Sequence, residues 1–367
     1  MKRKPIGRYL LAGVIAALAM GLLVFSKEVG LGIRFGMERC ATVLIPSLFP
    51  FMVLSIFLSL AEVSTVLARP LGWISERCFA LPRDMGILVL LSFIGGYPVG
   101  ARMVSSLYSQ RRIEKETAER MLCFCVNAGP SFVISAVGAG MLQDKVAGVV
   151  LLCSQVCASL LVGIASARGA KVPRQRTKSP YMAPVPAFVS AVAAAATSML
   201  HLCGFAVLFA GANALLQAVR IPGAISNLLG LEQQLVEIVL SGMLEVTGGC
   251  AAAAALGGGA GVGLVAAFLS FGGLSVCFQV MAMFEDRALS FRKFFLMRIL
   301  HIAVAVSMAV PLYTRFCKME SAWASSTPPA AQRWGSTPVL SLCLIAMCTI
   351  FLLNQRDDGG KLHKRRE

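Results

Sequence analysis

The chain has 367 residues, of which 57% are hydrophobic and 14% charged, whereas a soluble domain averages about 45–50% and about 25%. So few charges cannot cover a water-soluble fold of this length; the surplus apolar length must meet lipid, where a spanning helix takes about 20 apolar residues. The net charge of +16 does not point to nucleic acid, because the basic residues gather at the ends and in connectors, where they set membrane topology and attract anionic headgroups.

Met1–Arg8 carries Lys2, Arg3, Lys4 and Arg8 ahead of Tyr9–Ser26, the first expected spanning helix. Ala17-Leu18-Ala19 has the form of a cleavage site, but the apolar run continues past it to Phe25, so a retained helix is expected. Lys27–Cys40 is charged and amphipathic and predicts an interfacial segment. Ala41–Ala61 is apolar, with Pro46 and Pro50 in PSLFPF, and Glu62–Arg83 is a mixed-charge connector. Met85–Ser109 is apolar but interrupted by GGYPVG at Gly95–Gly100. After the charged stretch Gln110–Arg120, Met121–Leu142 is interrupted by NAGPS at Asn127–Ser131. Val146–Ala167 predicts an ordinary spanning helix.

The connector Arg168–Lys178 holds Arg168, Lys171, Arg174, Arg176 and Lys178 without an acid, and Pro173, Pro180, Pro184 and Pro186 follow its course. It divides the chain in two. Beyond it lie apolar Ala187–Val219, then Leu235–Leu256 with LEVTGG at Leu244–Gly249, then Val262–Phe284 with FGG at Phe271–Gly273. Glu285–Lys293 is charged, and Phe294–Tyr313 and Pro338–Asn354 read as plain helices. The N-terminus and the Arg168–Lys178 connector both read as cytoplasmic. Parity then requires a re-entrant hairpin among the broken segments, or that Ala41–Ala61 does not span.

The halves look alike. Gly86–Leu107, broken at GGYP, parallels Glu237–Leu256, broken at TGG; Phe124–Ser135 parallels Phe268–Val280. The expected fold is an all-α polytopic membrane protein of two related repeats, read as inverted, with broken helices or re-entrant hairpins. Lipid offers a bare backbone no partners, so such breaks belong inside protein or against a water-filled cavity. Paired breaks in two halves are the sequence pointer to a transport site.

At the first break, Gly95 and Gly96 end one half-helix and Pro98 suits the first turn of the next, whose free N–H groups favour an anion. Tyr97 adds a ring and a hydroxyl, and Arg102 adds positive charge one turn on. Asn127, Gly129, Pro130 and Ser131 offer a second such break. Glu245, beside Thr247 and Gly248, is an acid in an apolar segment, where it is expected to face a pathway, take part in proton or cation coupling, or pair with Arg102. Gly272 and Gly273 complete the candidate site.

The chain's 12 cysteines do not form a metal scaffold. Cys153, Cys157, Cys203, Cys277, Cys343 and Cys348 lie in apolar runs, and Cys123 and Cys125 form CxC. His201, His301 and His363 lack ligand spacing to a cysteine pair. No cofactor, no metal and no enzymatic reaction is expected, since no nucleophile–base pair or phosphate loop is present.

GGYPVGA, the preceding PSLFPF, the Glu119-Arg120 pair, NAGPSF and GMLEVTGG follow an order that resembles the sporulation integral membrane protein family of YlbJ type. That family carries the nucleoside-recognition or Gate domain and is distantly similar to concentrative nucleoside transporters. The resemblance runs over roughly Leu31–Ile302. Gly95-Gly96 stands where the family has Ser/Ala-Gly, and Asn127-Ala128-Gly129-Pro130 replaces a more polar stretch.

The resemblance implies a mother-cell membrane protein that moves dipicolinate toward the forespore, located in the mother-cell-derived outer forespore membrane. The expected organisation is 1–40 (membrane helix and interfacial segment), 41–167 (first Gate-like repeat plus a spanning helix), 168–186 (basic connector), 187–293 (second Gate-like repeat), 294–354 (C-terminal membrane helices) and 355–367 (charged tail). The expected partners are a small-molecule anion and the lipid bilayer, not nucleic acid; a homo-oligomer is left open. Two alternatives are a nucleoside or nucleobase transporter and a non-transporting sporulation scaffold or sensor.

Overall fold

The computed structural model describes residues 5–61, 64–172, 182–284 and 289–317. Expectations for Lys2–Lys4, Glu62, Arg174–Lys178, the helix Pro338–Asn354 and the tail 355–367 lie outside these residues. The described chain is helical throughout its regular structure, apart from an isolated bridge between Ala61 and Met182. Among the described residues, five helices are long and apolar enough to cross a membrane: Ser26–Leu60, Lys145–Ala167, Pro184–Ala218, Gly258–Ala282 and Arg292–Phe316. A sixth candidate is the pair Leu71–Phe79 and Arg83–Gly95, bent by 108°. The chain is a multi-pass, all-α integral membrane protein.

The first half begins with α1 (Pro5–Val24), α2 (Ser26–Arg39) and α3 (Ile45–Leu60). A π-helical turn, Cys40–Leu44, joins α2 to α3 as one helix. Pro46 lacks an N–H and its ring crowds the carbonyl four residues back, at Thr42; the widened turn takes up both. Lys27–Cys40, whose charges predict an interfacial segment, is therefore continuous with the helix that follows it. It packs along α9 (Pro184–Ala218). Gly32 and Gly36, one turn apart, face Ala214 and Ala210; a Cβ on Gly36 would lie 2.8 Å from that of Ala210. Small residues at this spacing let two membrane helices touch backbone to backbone.

Gly36→Leu is accordingly expected to wedge the two helices apart. It should lower thermal stability in detergent by an amount typical of overpacking, about 1–3 kcal/mol. Gly30→Leu, at a position with no atom within 4 Å, should leave stability unchanged. Equal behaviour of the two variants would contradict the packing.

The expected connector Glu62–Arg83 is helical over its described part, α4 (Ser64–Phe79), which folds back on α5 (Gly86–Gly95). Gly86 permits that approach, since its Cβ would lie 2.7 Å from the Leu71 carbonyl oxygen. α6 (Tyr97–Ser109) and α7 (Lys115–Cys125) follow, then a π-helical stretch, Phe132–Met141, and α8 (Lys145–Ala167). Asp144 caps α8, its Oδ1 accepting from Val146 N at 2.7 Å and Ala147 N at 3.1 Å, the usual satisfaction of free helix donors.

After α9 come α10 (Ile221–Leu229), α11 (Gln233–Leu244), α12 (Val246–Ala254), α13 (Gly258–Phe271), α14 (Gly273–Ala282) and α15 (Arg292–Phe316). α15 packs against α7, α8 and α13, and so bears on the broken elements of both halves.

Candidate functional site

All the interruptions expected from Gly, Pro and polar residues are present. α5 ends at Gly95, Gly96 adopts φ 80°, and α6 starts at Tyr97 with Pro98 in its first turn. α7 gives way to non-helical Val126–Gly129. α11 stops at Glu245, which is extended, and α13 stops at Gly272, with Gly272 and Gly273 at φ 83° and 74°. The positive φ values explain the glycines at 96, 272 and 273, since side chains are strained there.

Within each half the breaks lie back to back. A Cβ on Gly96 would sit 3.3 Å from Gly129 N, and one on Gly129 3.2 Å from the Ile94 carbonyl oxygen. A Cβ on Gly273 would sit 3.1 Å from the Leu244 carbonyl oxygen and 3.2 Å from Glu245 N. Gly100 lets α6 pass against Cys125, whose carbonyl oxygen a side chain would overlap. Tyr97 crosses between the halves: its hydroxyl donates to the Leu269 carbonyl at 2.6 Å.

A break frees carbonyls as well as N–H groups. α7 and α13 each end at one, leaving the carbonyls of Val126 and Ser270 without helical partners. Both go to one cation. Arg298 of α15, 1% exposed, donates from Nη1 to Ser270 O at 2.9 Å and from Nη2 to Val126 O. Its guanidinium also lies 4.8 Å from the centre of the Phe294 ring. A positive charge is favoured at the negative end of a helix, and here one guanidinium serves two such ends.

One turn on, fully buried His301 places Nε2 2.8 Å from Ser159 Oγ. Ser159 Oγ also faces two acceptors, Asn127 Oδ1 at 2.8 Å and the Gln155 carbonyl at 2.9 Å, and with its one proton given to either it accepts the Nε2–H of His301. Asn127 in turn donates to the Phe124 carbonyl at 2.6 Å. Gln155 of α8 donates to Ala266 O and to Ser270 Oγ, both at 3.0 Å. These residues tie both halves to α8 and α15. The sequence reading passed them over by taking Phe294–Tyr313 as a plain helix. The available signal was Arg298 and His301 within an apolar run, where ionisable residues are expensive and seldom idle.

Glu245 acts locally. Its Oε1 accepts from Thr247 N at 2.8 Å and its Oε2 from Gly248 N at 2.7 Å, capping α12. Arg102 does not pair with it: Arg102 Nε donates to Ser198 Oγ on α9 at 2.8 Å. The guanidinium beside the cap belongs to Arg39, whose Nη1 lies 2.9 Å from where a Cβ on Gly248 would be; the same point is 3.4 Å from Glu245 Oε2.

These groups border a cavity of 420 Å³ between α2, α9, α11 and α12, walled by Arg39, Asn213, Gln217, Gln234, Glu237, Ser241, Glu245, Thr247 and Gly248 among others. A second space, of only 20 Å³, shares Leu44, Ala206, Glu245 and Thr247 with it and reaches Tyr97, Gly129, Ser275 and Gln279. Asn213 Oδ1, Thr247 Oγ1 and Gln279 Nε2 are buried on these walls without a protein partner. Buried polar atoms are normally paired, so each calls for water or a ligand.

Of the expected site residues, Tyr97, Gly129, Glu245, Thr247 and Gly248 line one or both spaces. Gly95, Gly96, Pro98, Asn127, Pro130, Ser131, Gly272 and Gly273 shape or support the breaks behind them, and Arg102, on α6, points away to Ser198 of α9. Arg39, Asn213 and Gln279 are wall residues that the sequence reading did not single out.

No protein-family model matches the chain, and no solved structure matches it. It is similar to the sporulation integral membrane protein YlbJ of Bacillus subtilis (strain 168), with 26% identity over 323 residues, covering 77% of this chain and 78% of that protein. This similarity agrees with the order of the chain's motifs and with its apolar helices.

Proposed function

We propose that the chain carries a small organic anion across a membrane of the sporulating cell, with dipicolinate moving from the mother cell toward the forespore through the outer forespore membrane. The observation that carries the transport reading is the meeting of helix breaks from both halves at a 20 Å³ space that adjoins the 420 Å³ cavity through Glu245 and Thr247, with unpartnered buried polar atoms on the walls of both. A scaffold has no use for this arrangement, which costs backbone hydrogen bonds at membrane depth. The matching order of breaks in the two halves supports inverted repeats, the architecture in which a central site is opened to each side in turn. The sporulation setting rests on the similarity to YlbJ, a protein named for sporulation.

The neutral groups Asn213, Thr247 and Gln279 also suit a nucleoside, so the test must separate the two solutes. In vesicles containing only this protein, saturable flux of labelled dipicolinate is expected, with no competition by uridine or adenosine. Flux of uridine but not dipicolinate would shift the reading to a nucleoside transporter. Flux of neither, by protein shown to be folded, would end the transport reading.

A further inference from the structure

The geometry points to a second role for the cavity wall, and we propose that Arg39 is the residue that binds the ligand, gripping the carboxylate of a small organic acid. The proposal rests on the transport reading for the ligand's fate, but the binding itself is a separate claim.

Arg39 is the last residue of α2, immediately before the π-helical turn. Its guanidinium is 5.1 Å from the centre of the Phe35 ring. It makes no ion pair among the described residues. The acids on the same wall bond to neutral donors and not to Arg39: Glu245 caps α12, and Glu237 accepts from Gln233 Nε2 at 2.8 Å. The guanidinium thus reaches the cavity wall without a salt bridge of its own, with Glu245 near it but not in ion-pair contact, and the ring beside it holds the guanidinium plane in place.

Two further observations indicate a ligand. Thr247 Oγ1, on a residue 1% exposed, lines the same cavity without a partner, and its hydroxyl has a proton to donate to an anion. Gly248 is the position that allows the guanidinium in, because a side chain there would begin 2.9 Å from Nη1. The N-terminus of α12, which would otherwise attract the anion, is already filled by the Glu245 carboxylate. Arg39 is what remains to recognise negative charge. A planar guanidinium takes a carboxylate through two parallel N–H bonds, and 420 Å³ is within the range of pockets for small organic ligands, about 300–1,000 Å³.

The test is equilibrium binding of labelled pyridine-2,6-dicarboxylate to the full chain in nanodiscs, with benzoate, isophthalate and neutral benzamide as competitors. Wild type should bind, the carboxylates should compete and benzamide should not. Arg39→Gln should weaken binding by at least about tenfold, Arg39→Lys should recover part of it, and Lys115→Gln, which removes an exposed charge on α7, should change nothing.

Ser241→Asp provides a variant that keeps Arg39. Ser241 Oγ is 3.3 Å from the Gly248 Cβ position that Arg39 also approaches, so an aspartate there should occupy the guanidinium and weaken binding likewise. Wild-type affinity in Arg39→Gln or in Ser241→Asp, or no binding of any carboxylate by wild type, overturns the proposal. Vesicle flux separates it from the transport reading. Arg39→Gln that transports normally refutes the Arg39 site alone. Binding that depends on Arg39, in a wild type without flux, refutes transport alone.

Discussion

Arg298→Gln is expected to deplete the protein from the membrane. The variant loses the charge and can reach only one of the two carbonyls, so either Val126 or Ser270 keeps a buried, unpaired oxygen. Hydrogen bonds to a charged group contribute about 1.5–3 kcal/mol each, so the pair contributes on the order of 3–6 kcal/mol. Total stabilities are only about 5–15 kcal/mol. Arg298→Lys should retain an intermediate amount, because an ammonium keeps the charge but lacks the fork that spans two acceptors. Immunoblots of membrane fractions and thermal unfolding in detergent measure both variants. Wild-type levels and wild-type melting of Arg298→Gln would mean that the break ends of α7 and α13 do not depend on this residue.

Arg298 also marks where sequence reading stopped. The breaks were legible because glycine and proline inside apolar runs restrict the backbone locally: GGYP, NAGP and FGG each fall where a helix stops. The apolar spans were legible from length alone. What joins the breaks was not, because Arg298 lies 172 residues from Val126 and no local pattern links them.

At Lys27–Cys40 lysine, arginine and glutamate suggested a surface helix, and charge gave no hint of its packing along α9. Gly32 and Gly36 carried that information, but their partners are the alanines of α9, far along the chain. Spacing likewise set Arg102 near the first break without revealing that Ser198 stands opposite. Glu245 read as a coupling carboxylate from its apolar surroundings, and its cap was not legible because helix caps are usually Ser, Thr, Asp or Asn; here the longer glutamate caps α12.

The cap geometry fixes what Glu245→Gln should do. The amide keeps one oxygen for one N–H but turns an NH₂ toward the other donor, and it removes the negative charge from the positive end of α12. Loss of a good N-cap costs about 0.5–2 kcal/mol, so the variant should still reach the membrane in amounts near wild type, with a lowered melting temperature. Transport is another matter. Glu245 and Arg39 flank the same glycine, and Glu245 lies on the wall shared by both spaces. Without the carboxylate, the N–H of Gly248 and the Arg39 guanidinium both turn their positive character on the ligand. An anion should then be held at least as tightly as in wild type while flux falls by about tenfold, a barrier increase of about 1.4 kcal/mol. Glu245→Asp, which keeps the charge and remains a good cap, should lose much less. Adding Arg102→Gln should rescue nothing, because Arg102 is bonded to Ser198 rather than to Glu245. Dipicolinate flux and binding, measured on the same vesicle preparations, decide the matter. Unchanged flux in Glu245→Gln would reduce Glu245 to a cap and remove the shared wall from the path, whereas rescue by Arg102→Gln would restore the ion pair that the geometry excludes.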